Sequence, residues 1–214
     1  MVEDVAFYLE EARRSGGPVV ELGVGTGRIA VPIAADGIRV IGVDSSLGML
    51  EVCARRAALT GVDLDLRVGD LREPPVTERV PLVVCPFRSL LHLRTDEDRR
   101  RALGNVHELL ASGGRFVFDV FAPGTDDINA THDRWLEREP GIFERAIWNA
   151  GDRTLTLTVR GKDSETTMAL AWLSAAEWRV LLEASGFEVE ACYGWFDRRP
   201  YKGDEDMVWI SRRP

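Results

Sequence analysis

Apolar residues fall into short continuous runs in the first half of the chain and into alternation with polar residues later, and the change divides the sequence into two regimes. Pro18-Val19-Val20-Glu21-Leu22, Arg39-Val40-Ile41-Gly42-Val43, Val80 to Pro86 and Gly114 to Val120 are nearly unbroken apolar runs. With Asp65-Leu66-Arg67-Val68 they predict strands. Helical periodicity separates them: an opening helix with Val5, Leu9 and Ala12 on one face, then Gly25 to Ala35, Ser46 to Thr60 with Ser45 or Ser46 as cap, and Asp96 to Ala111. Strands apolar on both faces that alternate with helices imply a parallel sheet covered on both sides.

Beyond Pro123-Gly124 the pattern changes. Gly141 to Asn149, Thr154 to Arg160 and Thr166 to Trp172 alternate, with Gly-Asp and Lys-Asp turn signals between them, and predict antiparallel strands. Ser174-Ala175-Ala176-Glu177 is a capping-box pattern that opens a helix ending at Gly186. Phe187 to Trp195 and Asp206 to Ser211 then predict two strands, joined by a charged loop too short for a crossover helix, so the last strand runs antiparallel to its neighbour. The expected fold is α/β: a doubly wound, Rossmann-like, seven-stranded and mostly parallel sheet with an antiparallel last strand. Residues 1–214 form a single domain, and 123–173 form a small antiparallel insertion, a substrate cap or a dimer contact.

The chain has 214 residues, 45% of them hydrophobic, enough for one substantial core. A net charge of -8 disfavours phosphate backbones and anionic headgroups, so no nucleic-acid or membrane partner is expected. Arg55-Arg56, Arg99-Arg100-Arg101 and Arg198-Arg199 sit beside acids and read as solvated faces. Cys53, Cys85 and Cys192 are far apart and lack C-x-x-C spacing, which suggests buried free thiols rather than a disulfide framework or a metal site. The opening Met1-Val2-Glu3-Asp4 carries acids where a signal peptide needs positive charge, and no apolar run reaches the roughly 20 residues of a membrane span. A cytoplasmic protein is expected.

The chemistry concentrates at strand ends. Glu21-Leu22-Gly23-Val24-Gly25-Thr26-Gly27 lies where the first strand hands over to a helix, and its glycines permit a sharp turn and close approach to a nucleotide-like cofactor. Counted as G-x-G-x-x-G, the pattern puts Arg28 at the third glycine, which weakens a dinucleotide reading; G-x-G-x-G fits S-adenosylmethionine better. Asp44, ending the second strand, can accept from ribose hydroxyls, a position NAD enzymes share. Asp70 in Gly69-Asp70-Leu71, ending the third, can accept from an adenine amino group. Each acid alone reads equally well as a cap or a loop acid.

These segments, with Leu109-Leu110-Ala111-Ser112-Gly113-Gly114, resemble the motif series of class I S-adenosylmethionine-dependent methyltransferases. The run Cys85 to Leu93, followed by Phe118-Asp119-Val120-Phe121 and the antiparallel insert, is similar to small-molecule methyltransferases acting on amines, including amino-sugar N-methyltransferases. The resemblance implies that Gly23, Gly25 and Gly27 face the methionine part, Asp44 the ribose, and Asp70 with Leu71 the adenine. It places Met49 on the adenine ring, and Glu21, Ser45, Pro86 and Phe87 in the same cofactor set. It also implies an N-terminal lid that is reduced here or supplied by a partner subunit.

Methyl transfer from a sulfonium needs alignment and exclusion of water rather than a metal or a covalent nucleophile. An amine acceptor must first lose a proton, and His92, just after the fourth strand, is the candidate base; a backbone-bonded histidine shaping the pocket is the competing reading. Trp135, Trp148, Trp172, Trp195 and Tyr201 lie in the insert or the last third. Arg88, His92, Phe121, Trp148, Trp172 and Trp195 are the expected substrate residues, because aromatic walls hold a cationic amine or a flat ring. The insert can equally pair two copies into a homodimer through its open strand edges. The function expected is methyl transfer to a small-molecule amine or hydroxyl. The alternatives are an NAD-dependent oxidoreductase, favoured by Asp44 and opposed by Arg28 and Asp70, and a non-catalytic S-adenosylmethionine-binding protein.

Overall fold

A computed structural model describes residues 3–203 and 206–214. A seven-stranded sheet has the order β10-β11-β5-β4-β1-β2-β3, built from β1 (Val19–Leu22), β2 (Val40–Asp44), β3 (Asp65–Val68), β4 (Val80–Cys85), β5 (Leu110–Phe121), β10 (Glu188–Tyr193) and β11 (Asp206–Arg212). β1 pairs parallel with β2 and β4, β4 with β5, and β2 with β3, whereas β11 runs antiparallel to both β5 and β10. The sheet is therefore parallel except for β11, as the sequence predicts.

The apolar runs become the central strands because both sheet faces are covered. Val19, Val20 and Leu22 of β1 and Val83, Val84 and Cys85 of β4 are all buried. One core lies under α4 (Asp96–Leu109) and α6 (Ala175–Ala184), the other under α1 (Glu3–Ser15), α2 (Ala30–Ala35) and α3 (Leu47–Thr60). The insert supplies α5 (Thr125–Thr131) and a four-stranded antiparallel sheet, β6 (Trp135–Glu139), β7 (Ile142–Asn149), β8 (Thr154–Arg160) and β9 (Glu165–Ala171). Leu155, Leu157, Met168 and Leu170 on one face of that sheet pack into the first core. Among the described residues no helix is long and apolar enough to cross a membrane.

Several expectations need correction. The buried stripe of α1 is Asp4, Phe7, Tyr8, Glu11 and Ala12, while Val5 and Leu9 only flank it. The helix expected from Gly25 begins at Ala30, because Gly25 and Gly27 hold φ of +53° and +78° and spend residues 23–29 on turns. The helix expected to run to Ala111 stops at Leu109, since Leu110 already pairs with Val80. Neither α5 nor β6 was legible, because their charged residues mask the period. Arg99 is not solvated but 4% exposed, and Cys192 is half-buried, unlike the buried Cys53 and Cys85.

Candidate active site

The carboxyl ends of β1, β2 and β3 open on one cavity of about 540 Å³ lined by Gly23, Gly25, Asp44, Ser45, Met49, Asp70 and Leu71, among others. Seven residues predicted for the cofactor thus share one wall, and Asp44 and Asp70 face the same space. The Asp44 carboxylate accepts from the Gly25 amide at 2.8 Å and the Ser46 amide at 2.8 Å, so it braces the glycine turn and the start of α3 together. Ser46 caps α3 by accepting from Met49, which stands 47% exposed over the cavity. Gly23, at φ +70°, lies against Ser89, and a Cβ there would come within 2.7 Å of the Ser89 hydroxyl oxygen.

Asp70 is held by a neighbouring guanidinium. Arg72 donates to both its oxygens, from Nε at 2.8 Å and Nη2 at 2.7 Å, and also reaches Asp98. That guanidinium lowers the pKa of Asp70 and keeps it ionised. Arg72 and Asp98 themselves line the cavity and were not foreseen; Arg72 sits two residues past the predicted acid.

Other predicted cofactor residues stand off the wall. Gly27 faces α3, where an added Cβ would lie 2.6 Å from Cys53 Sγ. Glu21 is buried beneath the turn with one carboxylate oxygen unpartnered, and burial raises its pKa well above the usual range. Pro86 is buried, and Phe87 is 61% exposed beneath the Arg28 guanidinium, which lies 5.0 Å from its ring centroid. Arg28 also pairs with Asp4 and so ties the glycine turn to α1.

After β4 the chain makes a tight loop into a single 3-10 turn, Ser89–His92, whose Ser89 and His92 line the cavity. His92 is partly desolvated, which lowers its pKa, while the nearby Asp44 charge works in the opposite direction. The imidazole is therefore neutral at neutral pH. Phe87 and Arg88 hold φ of +56° and +63°, left-handed values that cost non-glycine residues on the order of 1–3 kcal/mol each and persist only where surroundings enforce them.

The expected substrate residues separate into groups. Arg88 pairs with Asp206 at 2.7 Å and lies 4.7 Å from the Phe121 ring centroid. Phe121 meets Trp148 edge-on, and Trp148 meets Trp172 in the same way. Trp172 is 7% exposed and belongs to the core. Trp195 lies elsewhere, against Phe196 with its indole N–H on Glu3, because the loop after β10 folds over α1.

The cavity chemistry fits an adenosyl-amino acid: two fixed carboxylates can accept from hydroxyl and amino donors, and a side-chain-free turn admits a ligand against the backbone. The profile of the methyltransferase domain matches residues 19–114, the stretch that builds β1 to the start of β5. The chain carries a methyltransferase domain. Along its length the chain is similar to the cypemycin N-terminal methyltransferase of a Streptomyces species, 24% identical over 98% of the chain and 89% of the relative. Its fold matches that of the CcbJ methyltransferase from Streptomyces caelestis, with a TM-score of 0.86, 24% identity and coverage of 99% and 96% of the two chains. It also matches CalS10, an amino pentose methyltransferase from Micromonospora echinaspora whose structure contains S-adenosylmethionine, with a TM-score of 0.72, 20% identity and coverage of 99% and 89%.

Proposed function

We propose that this enzyme methylates a small-molecule amine or hydroxyl, with the strand-end cavity as its cofactor site and the β4–β5 edge as its acceptor site. The observation that carries the reading is the convergence of Gly23, Asp44, Asp70 and His92 on one cavity. In this reading Asp44 accepts from the ribose, Asp70 and Leu71 meet the adenine, Met49 covers its ring, and Gly23 and Gly25 admit the methionine part. The bound cofactor supplies an electrophilic methyl group on a sulfonium.

The chain's own residues then align, desolvate and deprotonate. His92, neutral at physiological pH, accepts the acceptor's proton through a ring nitrogen. Arg88, Phe121 and Trp148 form the acceptor side, where a guanidinium-backed aromatic pair orients the substrate. An amine is favoured by the relatives named for N-terminal and amino pentose methylation. The insert acts as a cap, which its packing of β9 against the 3-10 turn supports. The net charge of -8 supports an enzyme that leaves nucleic acid alone.

Calorimetry with S-adenosylmethionine and S-adenosylhomocysteine, and then turnover against a panel of amines and phenols, tests the proposal. Binding of both ligands with release of S-adenosylhomocysteine from an amine is the expected result. A folded protein that binds neither ligand would refute it.

A further inference from the structure

The methyl-transfer roles leave the buried Asp119 without a task. Asp119 lies near the carboxyl end of β5 and is 6% exposed. Its Oδ1 accepts from the Tyr8 hydroxyl at 2.6 Å and from the Phe87 amide at 2.8 Å, and its Oδ2 accepts from the Arg88 amide at 3.1 Å. Tyr8 comes from α1 and has no exposure, so an element on one sheet face meets the loop after β4 through this carboxylate. Successive amides from residues in non-extended backbone make an anion-binding concavity. Here the anion is the protein's own side chain.

What the loop carries gives the arrangement its meaning. Arg88 directs its guanidinium to Asp206 and Phe121. The next residue, Ser89, abuts Gly23 of the cofactor turn and starts the 3-10 turn that ends at His92. Residues 87 and 88 are therefore the joint between the acceptor side and the cofactor cavity.

We propose that Asp119, backed by Tyr8, is a positioning residue: its carboxylate holds Phe87 and Arg88 in the left-handed conformation and so fixes where His92 meets the cofactor cavity and where Arg88 meets the acceptor. The catalytic meaning of that placement rests on the proposed function, whereas the pinning itself does not. The ionised carboxylate accepts from these donors most strongly, since protonation turns one oxygen into a donor and weakens what it still accepts. Burial pushes Asp119 up to about 6, opposed by the Tyr8 and Phe87 hydrogen bonds and by Arg88, with the Asp206 charge adding to the rise. Cys85 of β4 and Tyr8 also face this acid, and burial raises both, so they stay protonated and Asp119 takes the charge.

The test is amide and imidazole NMR of the full chain across about pH 5 to pH 8, which requires no acceptor. The Phe87 and Arg88 amides are expected to move together with a midpoint of about 6, and the His92 ring signals to show the same inflection beside their own titration. Asp119→Asn should abolish the shared response. Tyr8→Phe, which removes one stabilising donor, should raise the midpoint while S-adenosylhomocysteine affinity at high pH stays within about threefold of the parent. Amides that do not respond to pH, or a midpoint unmoved by Tyr8→Phe, would overturn the proposal, and the tyrosine variant gives a reading even where Asp119→Asn fails to fold. Failure of the parent chain to bind S-adenosylhomocysteine would overturn the proposed function and leave the titration result standing.

Discussion

At the scale of single residues, the site depends on carboxylates that serve the protein before they serve a ligand. Asp44 already holds the Gly25 and Ser46 amides, so Asp44→Ala removes both a ribose acceptor and the brace of the turn. Charge-assisted hydrogen bonds are worth about 1.5–3 kcal/mol each, which predicts at least about a tenfold loss of S-adenosylhomocysteine affinity by calorimetry. An unchanged dissociation constant would remove Asp44 from the ribose site. The same substitution should move the His92 titration further down, because the Asp44 charge is what partly offsets the desolvation of the ring. Proton NMR of the imidazole reads that shift, and an upward movement would contradict it. If His92 takes the acceptor proton, His92→Gln should slow turnover at saturating cofactor by about 10²–10⁴-fold.

At the scale of elements, most strands were legible because a buried parallel strand needs an unbroken apolar run, and Val80–Cys85 and Val40–Asp44 contain little else. The start of α2 was not, because a glycine-rich stretch carries no period and only its dihedrals show where turning ends and helix begins. The period of the opening helix locates the element but not its buried face: Tyr8 and Asp4 are polar in sequence yet buried, each held by a partner far along the chain. Such partners cannot be read from spacing, and for the same reason the sequence gives Asp119 a place in a motif but no partner, and does not mark Arg72 or Asp98, while it marks Asp44 and Asp70 at strand ends. Capping is local and was legible: Ser174 accepts from the Glu177 amide, and Glu177 returns to the Ser174 amide. Ser174→Ala should cost about 1 kcal/mol of stability, a fall in midpoint of about 2–4 °C for a chain of this size, measurable by calorimetry or urea titration. No change would mean the Arg153–Glu177 ion pair holds the helix start unaided.

At the scale of the whole molecule, the cofactor cavity joins three strands and two helix starts, so occupying it should stiffen much of one sheet edge. A ligand at about a hundred times its dissociation constant adds about 2.7 kcal/mol, or about 5–10 °C for a domain of this length. Thermal unfolding with and without S-adenosylhomocysteine measures it, and an unchanged midpoint at saturation would place the ligand elsewhere or nowhere.

The reversed strand has a consequence for assembly. β11 is wedged between β5 and β10, so those two strands share no hydrogen bonds and meet only through it. During synthesis β5 is complete some 85 residues before Asp206 emerges, leaving Phe116 and Phe118 beside an unpaired strand edge throughout that interval. Closure of the sheet is thus an act of interpolation rather than of growth at a margin, and it makes the stretch from Asp206 to Arg212 the keystone for which the rest of the sheet must wait.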